Sequence, residues 1–222
     1  MRTYGKPTDG PVSRLINRRV STRITRLVVA LGVRDPNKVT LVTGLIGVLA
    51  AMPYLLVDPV WAAIAGLLVE LASILDGVDG EIARMLGRRS RFGAFLDAVT
   101  DRVVDTVSYG LAVYATVEAL GLDAGISALL AVLVVSANLM VSYIHARGEA
   151  SIGASLQLLG SIRPWASRDV RLFLLAVGSL LVPLLGWASL LYTLLIVSLL
   201  SYAYVAAKTV ELWLLWRRGV VG

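Results

Sequence analysis

Asp76-Gly77-Val78-Asp79-Gly80-Glu81-Ile82-Ala83-Arg84, followed by Gly93, Asp97, Asp101 and Asp105, decides how this chain is read. Residues three or four apart share a helical face, so Asp76 and Asp79 form one pair, and Asp97, Asp101 and Asp105 form a stripe on the next helix. Residues 85–92 include Arg88, Arg89 and Arg91 and read as a short helix-to-helix turn that brings the two stripes face to face. Carboxylates crowded in this way repel one another and lose hydration, so the arrangement needs a compensating cation. There is no cysteine and His145 is the only histidine, which excludes disulfides, thiol nucleophiles and thiolate metal sites. Oxygen-only ligands favour Mg2+, Mn2+ or Ca2+, and two divalent ions suit phosphoryl chemistry.

Outward from this stretch the chain is too apolar for a soluble domain: 57% of its 222 residues are hydrophobic. Apolar runs near 39–57, 60–75, 103–117, 122–144, 172–186 and 187–207 give six expected transmembrane helices. The second and third carry charge at their ends and are expected to project beyond the hydrocarbon. All 21 Lys and Arg fall within 2–38, 84–102, 147–171 and 208–218, so alternate loops carry no basic residue. By the positive-inside rule both termini and the aspartates then face the cytoplasm, with external turns near Asp58-Pro59, Gly121-Leu122-Asp123 and Leu185-Gly186.

Residues 11–31 interleave Leu15, Ile16, Val20, Ile24, Leu27 and Val28 with Arg14, Arg18, Arg19, Arg23 and Arg26, which predicts an amphipathic helix on the inner membrane surface. Residues 1–38 lack the apolar core of a signal peptide, so the N-terminus is expected to remain. The expected fold is all-α: a polytopic protein of the cell membrane with six transmembrane helices plus an N-terminal amphipathic interfacial helix. Residues 1–35 form a cytoplasmic juxtamembrane segment and 36–222 the membrane domain. Gly44, Gly47 and Gly66 are read as sites of close helix contact.

Gly77, Gly80, Ala83 and Gly93 remove side chains where a ligand would approach, and Arg84 lies one turn beyond Gly80, where its fork of donors could meet a phosphate. Read singly, these are packing glycines and a surface charge; beside four aspartates they suggest a nucleotide site. The pattern Asp-x2-Asp-Gly-x2-Ala-Arg-x8-Gly-x3-Asp-x3-Asp resembles the signature of the CDP-alcohol phosphotransferase family at every fixed position. That resemblance implies that Asp76, Asp79, Asp97 and Asp101 bind the metal pair, Mg2+ or Mn2+, and that Asp101 is also the general base. It places Gly80, Ala83 and Gly93 near the CDP, Arg84 at its phosphates, and Asn37 and Thr40 near its base. It also implies a homodimer. The role of Asp105 stays open.

Ser142-Tyr143-Ile144-His145-Ala146-Arg147-Gly148-Glu149 is similar to the family's Arg-Ala-Arg-x-Glu run, with His145 in place of its first Arg. Arg147, Arg168 and Arg171 are expected at a phosphorylated acceptor. With Asp9-Gly10-Pro11-Val12-Ser13-Arg14 and Asn17-Arg18-Arg19-Val20-Ser21, they resemble the subgroup that joins CDP-inositol to inositol phosphate, giving di-myo-inositol phosphate phosphate. Members of that subgroup are often fused to a cytidylyltransferase domain. This sequence shows none, so a separate partner is expected to supply the donor. The alternative is lipid headgroup synthesis, with a lipid donor or acceptor. Membrane lipids are expected partners and nucleic acid is not. A transporter, to which Glu70 deep in the second span would be suited, predicts carboxylates spread through the bilayer instead of gathered near one face.

Overall fold

Each long helix of the first half starts on a side chain that caps it. The computed structural model describes residues 9–220, so the first eight residues of the expected juxtamembrane segment and the last two of the expected membrane domain lie outside the described residues. Helix α1 is Arg18–Ala30, preceded by a π-helical turn at Ser13–Asn17. Asp35 accepts from the Asn37 and Lys38 amides at 3.1 and 3.5 Å and opens α2, Pro36–Ala51, with Pro36 in its first turn. A 3-10 turn, Met52–Leu56, extends α2. Asp58 repeats the device for α3, Pro59–Met85, accepting from Val60 and Trp61. Ser90 caps α4, Arg91–Leu120, through the Gly93 amide at 2.9 Å. Gly121 turns the chain at φ 61°, and Asp123 caps α5, Ala124–Ile152.

The rest is α6, Arg168–Leu180, α7, Val182–Leu185, and α8, Ala188–Arg217. Among the described residues there is no strand. Among the described residues five helices are long and apolar enough to cross a membrane: Pro36–Leu56, Pro59–Met85, Arg91–Leu120, Ala124–Ile152 and Ala188–Arg217. The apolar run at 172–186 is divided between α6 and α7 because Pro183 supplies no amide hydrogen to continue a helix from α6. Helix α3 has 27 residues and α4 has 30. At 1.5 Å per residue these reach about 40 and 45 Å, longer than a hydrocarbon core of ~30 Å and so long enough for their polar ends to extend past it.

Packing follows the small residues. A methyl group at Gly44 would lie 2.2 Å from Cγ2 of Thr100 on α4, and one at Gly66 would lie 2.4 Å from Cβ of Ser179 on α6. Gly47 meets Val104 in the same way. These glycines let α2 approach α4 and α3 approach α6, as their positions predicted, and gain dispersion contact that a side chain would block. The core beneath includes Tyr54, Val69, Ala112, Leu175 and Leu194. Tyr54 Oη and Ser179 Oγ, 2.5 Å apart, tie the end of the first long helix to α6.

Helix α1 faces the bundle with its polar stripe. Ser21, Thr22 and Thr25 are buried, whereas Leu15, Leu27 and Leu31 are exposed. The contact is with α3, through Glu81. Helix α1 packs on α3, and residues from the end of α3, the start of α2, the start of α4, the end of α5 and the start of α6 line cavities at the same end of the bundle, which carries the site.

Candidate active site

Asp76 near the end of α3 and Asp97 and Asp101 near the start of α4 converge: each offers a carboxylate oxygen, and the three oxygens lie within 4.8 Å of one another. The short turn that joins the two helices causes this, as the spacing of the aspartates implied. The fourth aspartate, Asp79, is turned toward α2, where Thr40 Oγ1 donates to its Oδ2. Hard oxygen donors gathered so closely fit a divalent ion.

A guanidinium lies among these carboxylates. Arg168, the first residue of α6, places Nη1 2.8 Å from Asp76 Oδ2 and 2.9 Å from Asp101 Oδ1, and its Nε 2.8 Å from Asp105 Oδ1. Asp105, whose role the sequence left open, is an arginine organiser: besides Arg168 it receives Arg102 at 3.2 Å and faces Arg171 at 3.8 Å. Arg171 is almost wholly buried and donates to the carbonyl of Asn138 on α5 at 3.1 Å.

Two cavities meet at the aspartates. One, of about 410 Å³, is lined by Asn37, Thr40, Gly80, Ala83, Arg84 and Gly93, all six residues expected at the nucleotide, together with Asp79 and Asp97. Nε and Nη2 of Arg84 are buried without a hydrogen-bond partner, the condition of a donor whose acceptor is a ligand. A side chain at Gly93 would begin 3.0 Å from Asn37 Oδ1, crowding the wall of this cavity.

The other cavity, of about 400 Å³, is lined by Asp76, Asp79, Gly80, Asp97 and Asp101 on one side and by Arg168, Arg171, Ser167, His145 and Gln157 on the other. Arg147 is exposed on α5 and lines neither cavity. His145 is there in its place. Its Nδ1 is 3.2 Å from Gln157 Nε2 and its Nε2 is 2.8 Å from the Tyr204 hydroxyl. With the Gln157 amide donating, Nδ1 accepts and Nε2 carries the proton toward Tyr204, so the ring is a neutral wall element.

The second cavity is closed by the N-terminal segment. Asp9, Gly10, Ser13, Asn17, Arg18 and Ser21 line it. Glu81, fully buried within the aspartate motif, anchors that wall: it accepts from Arg18 Nη1 at 3.0 Å, Ser21 Oγ at 2.6 Å and Thr25 Oγ1 at 2.9 Å. Arg18 also forms a two-pronged pair with Asp9, at 2.8 and 2.9 Å. Burial disfavours its charge, but the bonds to Asp9 and Glu81 and their attraction outweigh that and raise its pKa above the ordinary arginine value. The guanidinium lies against Gly77, where a methyl group would sit 2.9 Å from Nη1. Sequence reasoning assigned Arg18 and Glu81 no such role. The usable signal was that Arg18, Ser21 and Thr25 share one face of α1.

A family model described as CDP-alcohol phosphatidyltransferase matches residues 34–216. The chain is 42% identical over 144 residues to a bifunctional IPC transferase and DIPP synthase of Thermococcus kodakarensis, covering 64% of this chain and 31% of that protein. It thus spans about a third of that relative's length. It is 28% identical to an archaetidylinositol phosphate synthase of Pyrococcus horikoshii over 86% of this chain and 92% of the relative. Its fold is similar to that of the phosphatidylinositol phosphate synthase of Mycobacterium tuberculosis in the crystal structure with CDP-DAG bound: TM-score 0.70, 24% identity, 88% and 94% of the two chains covered.

Proposed function

The chain belongs to the CDP-alcohol phosphatidyltransferase family, and from that membership we propose that it transfers a phosphoalcohol group from a CDP-alcohol to a hydroxyl acceptor, releasing CMP. The observation that carries this reading is that the two cavities share Asp79, Gly80 and Asp97. A donor in the first and an acceptor in the second would meet at the carboxylates.

Asn37, Thr40, Gly80, Ala83 and Gly93 form the bed for the CDP, and Arg84 supplies donors to its phosphates. Asp76, Asp79, Asp97 and Asp101 would hold the divalent ions, a pair of Mg2+ or Mn2+. Bound metal would neutralise charge on the phosphates and on the departing CMP. Asp101 takes the proton of the acceptor hydroxyl as its oxygen attacks the β-phosphorus of the donor. The bond from that phosphorus to the bridging oxygen breaks, and CMP leaves with the oxygen. No covalent enzyme intermediate is required.

The substrates we propose are CDP-inositol and inositol phosphate, giving di-myo-inositol phosphate phosphate, in keeping with the relative from Thermococcus kodakarensis. Arg168 and Arg171 in the second cavity suit a phosphorylated polyol. The relative from Pyrococcus horikoshii, matched over nearly its whole length, favours a second reading in which the donor carries a lipid and the acceptor is unchanged. Transport is disfavoured because the carboxylates gather at one end of the bundle; Glu70 alone lies deeper on α3.

In the membrane we propose six spans, with α6 and α7 together forming the fifth, and α1 on the cytoplasmic surface. Its exposed Leu27, with Leu15 in the preceding turn and Leu31 at its C-terminal cap, would meet the lipid. The basic blocks favour an orientation with the termini and the site inside the cell. Residues 1–35 form the juxtamembrane segment and 36–222 the membrane domain. A homodimer, and a separate cytidylyltransferase supplying the donor, complete the proposal.

CMP release by the purified protein with Mg2+ or Mn2+, offered CDP-inositol or a CDP-lipid with and without inositol phosphate, tests the reading. CMP formed from CDP-inositol only when inositol phosphate is present supports the soluble product. CMP from the CDP-lipid alone among the donors moves the protein to lipid synthesis, and no CMP with any pairing rejects the activity.

Arg84→Ala tests the nucleotide cavity. A hydrogen bond to a charged group contributes about 1.5–3 kcal/mol, so the donor KM should rise about 10- to 150-fold while the acceptor KM stays within a few-fold. An unchanged donor KM would remove Arg84 from the phosphates.

A further inference from the structure

We propose that Arg168 is an exchangeable counter-ion of the aspartate cluster: it neutralises the carboxylates in the metal-free protein and turns to the acceptor's phosphate when metal is bound, so that metal prepares the acceptor site. This inference rests on the metal and acceptor readings above and specifies how the two are linked.

Three observations carry it. The first is the bridge itself, in which one guanidinium touches Asp76, Asp101 and Asp105 at 2.8–2.9 Å. Two of those carboxylates, Asp76 and Asp101, belong to the converging set that fits a divalent ion. A cation in that set and the guanidinium would compete for the same oxygens and repel each other.

The second concerns where Arg168 sits on its helix. Arg168 and Arg171 occupy the first turn of α6, where the helix dipole disfavours positive charge. Their placement therefore does not serve helix stability. The same helix end instead suits an anion that arginines could share.

The third is that partners for an anion are waiting beside Arg168. Ser167 Oγ and Arg171 Nε are buried without hydrogen-bond partners, and both residues line the acceptor cavity. A phosphate there would satisfy them. With its Asp76 and Asp101 contacts given over to metal, Arg168 would keep Asp105 as its anchor and gain a second anion to hold. Arg168 is thus a positioning residue that couples the two halves of the site.

The test is Mn2+ binding to the full-length protein in detergent, followed by electron paramagnetic resonance, in the parent and in Arg168→Gln, Arg168→Lys and Arg102→Gln. Arg168→Gln should tighten Mn2+ binding about tenfold. Arg168→Lys retains the charge but loses the fork that reaches three carboxylates, and should tighten it at least about threefold. Arg102→Gln removes a charge beside Asp101 and Asp105 without opening the bridge, and should change it less than Arg168→Lys does. Equal tightening by Arg168→Gln and Arg102→Gln, with none by Arg168→Lys, would mean a general field effect and overturn the proposal.

Titration with inositol monophosphate supplies the second arm. In the parent, saturating Mn2+ should raise the affinity for inositol monophosphate about tenfold, and that coupling should vanish in Arg168→Gln. Coupling that persists in Arg168→Gln would reflect phosphate held by the ion itself and would overturn the exchange. Failure of the parent to bind Mn2+ at all would reject the metal reading, whereas Mn2+ binding untouched by any Arg168 variant would reject this inference alone.

Discussion

Replacing Asp101 by asparagine is expected to cut CMP formation by about a thousandfold or more, with donor affinity held within a few-fold. Asparagine keeps the shape of the side chain and loses both the negative charge and the ability to accept a proton. Asp101 has carboxylate oxygens 2.9 Å from Arg168 Nη1 and 3.6 Å from Arg102 Nη2, and one of them belongs to the set shared with Asp76 and Asp97. It lines the acceptor cavity and not the nucleotide cavity. If that cavity holds the acceptor, as proposed, the loss should appear in kcat while CMP binding, measured by calorimetry, stays nearly constant. Turnover within about tenfold of the parent would remove Asp101 from the proton transfer, since general bases contribute about 10²–10⁴-fold. A fall in nucleotide affinity as large as the fall in rate would instead assign Asp101 to metal binding alone.

The aspartate pairs were legible because helical geometry is local: spacings of three and four, with a short basic turn between, leave few ways to arrange Asp76, Asp97 and Asp101. That the residues proposed for the nucleotide line one cavity was legible for another reason. Gly80, Ala83, Arg84 and Gly93 lie within one short stretch, and the resemblance supplied Asn37 and Thr40 from the start of α2. What escaped was set by tertiary packing. Arg147 was expected at the acceptor from its place in a motif, yet the rotation of α5 leaves it exposed and turns His145 toward Tyr204 and Gln157. Arg168 was expected at the acceptor, but only the approach of α6 to α3 and α4 reveals that it reaches the aspartates as well. The division of the run at 172–186 into α6 and α7 was hidden because hydropathy averages over Pro183. On α1 the amphipathic pattern drew attention to its leucines, while the side that docks on α3 is the polar one.

That polar face makes Glu81 the residue whose loss should cost most in structure. Glu81→Leu takes from Arg18 Nη1, Ser21 Oγ and Thr25 Oγ1 the buried carboxylate that they share, leaving Arg18 Nη1 only the longer contact to the Gly77 carbonyl at 3.4 Å. Breaking a buried ion pair by removing one partner costs about 3–5 kcal/mol, and Asp9 would offset only part of it. Ser21→Ala and Thr25→Ala should each cost nearer 1 kcal/mol, since a neutral hydroxyl to a carboxylate is lost with no charge stranded. The expected result for Glu81→Leu is release of α1 from the bundle, seen as rapid tryptic cleavage at Arg19, Arg23 and Arg26 under conditions where the parent resists. Because residues 9–21 wall the acceptor cavity and not the nucleotide cavity, the acceptor KM should rise by about tenfold or more while the donor KM changes little. A parent-like cleavage pattern would mean that the exposed leucines, and not Glu81, hold α1 in place. A rise confined to the donor KM would mean that Glu81 acts through its neighbours Gly80 and Arg84. The position of Glu81 explains why these outcomes separate: it lies inside the aspartate motif on α3, yet its carboxylate bonds to Arg18, Ser21 and Thr25 of α1. One helix, α3, thereby carries Asp76 of the converging aspartates and anchors the N-terminal wall of the second cavity.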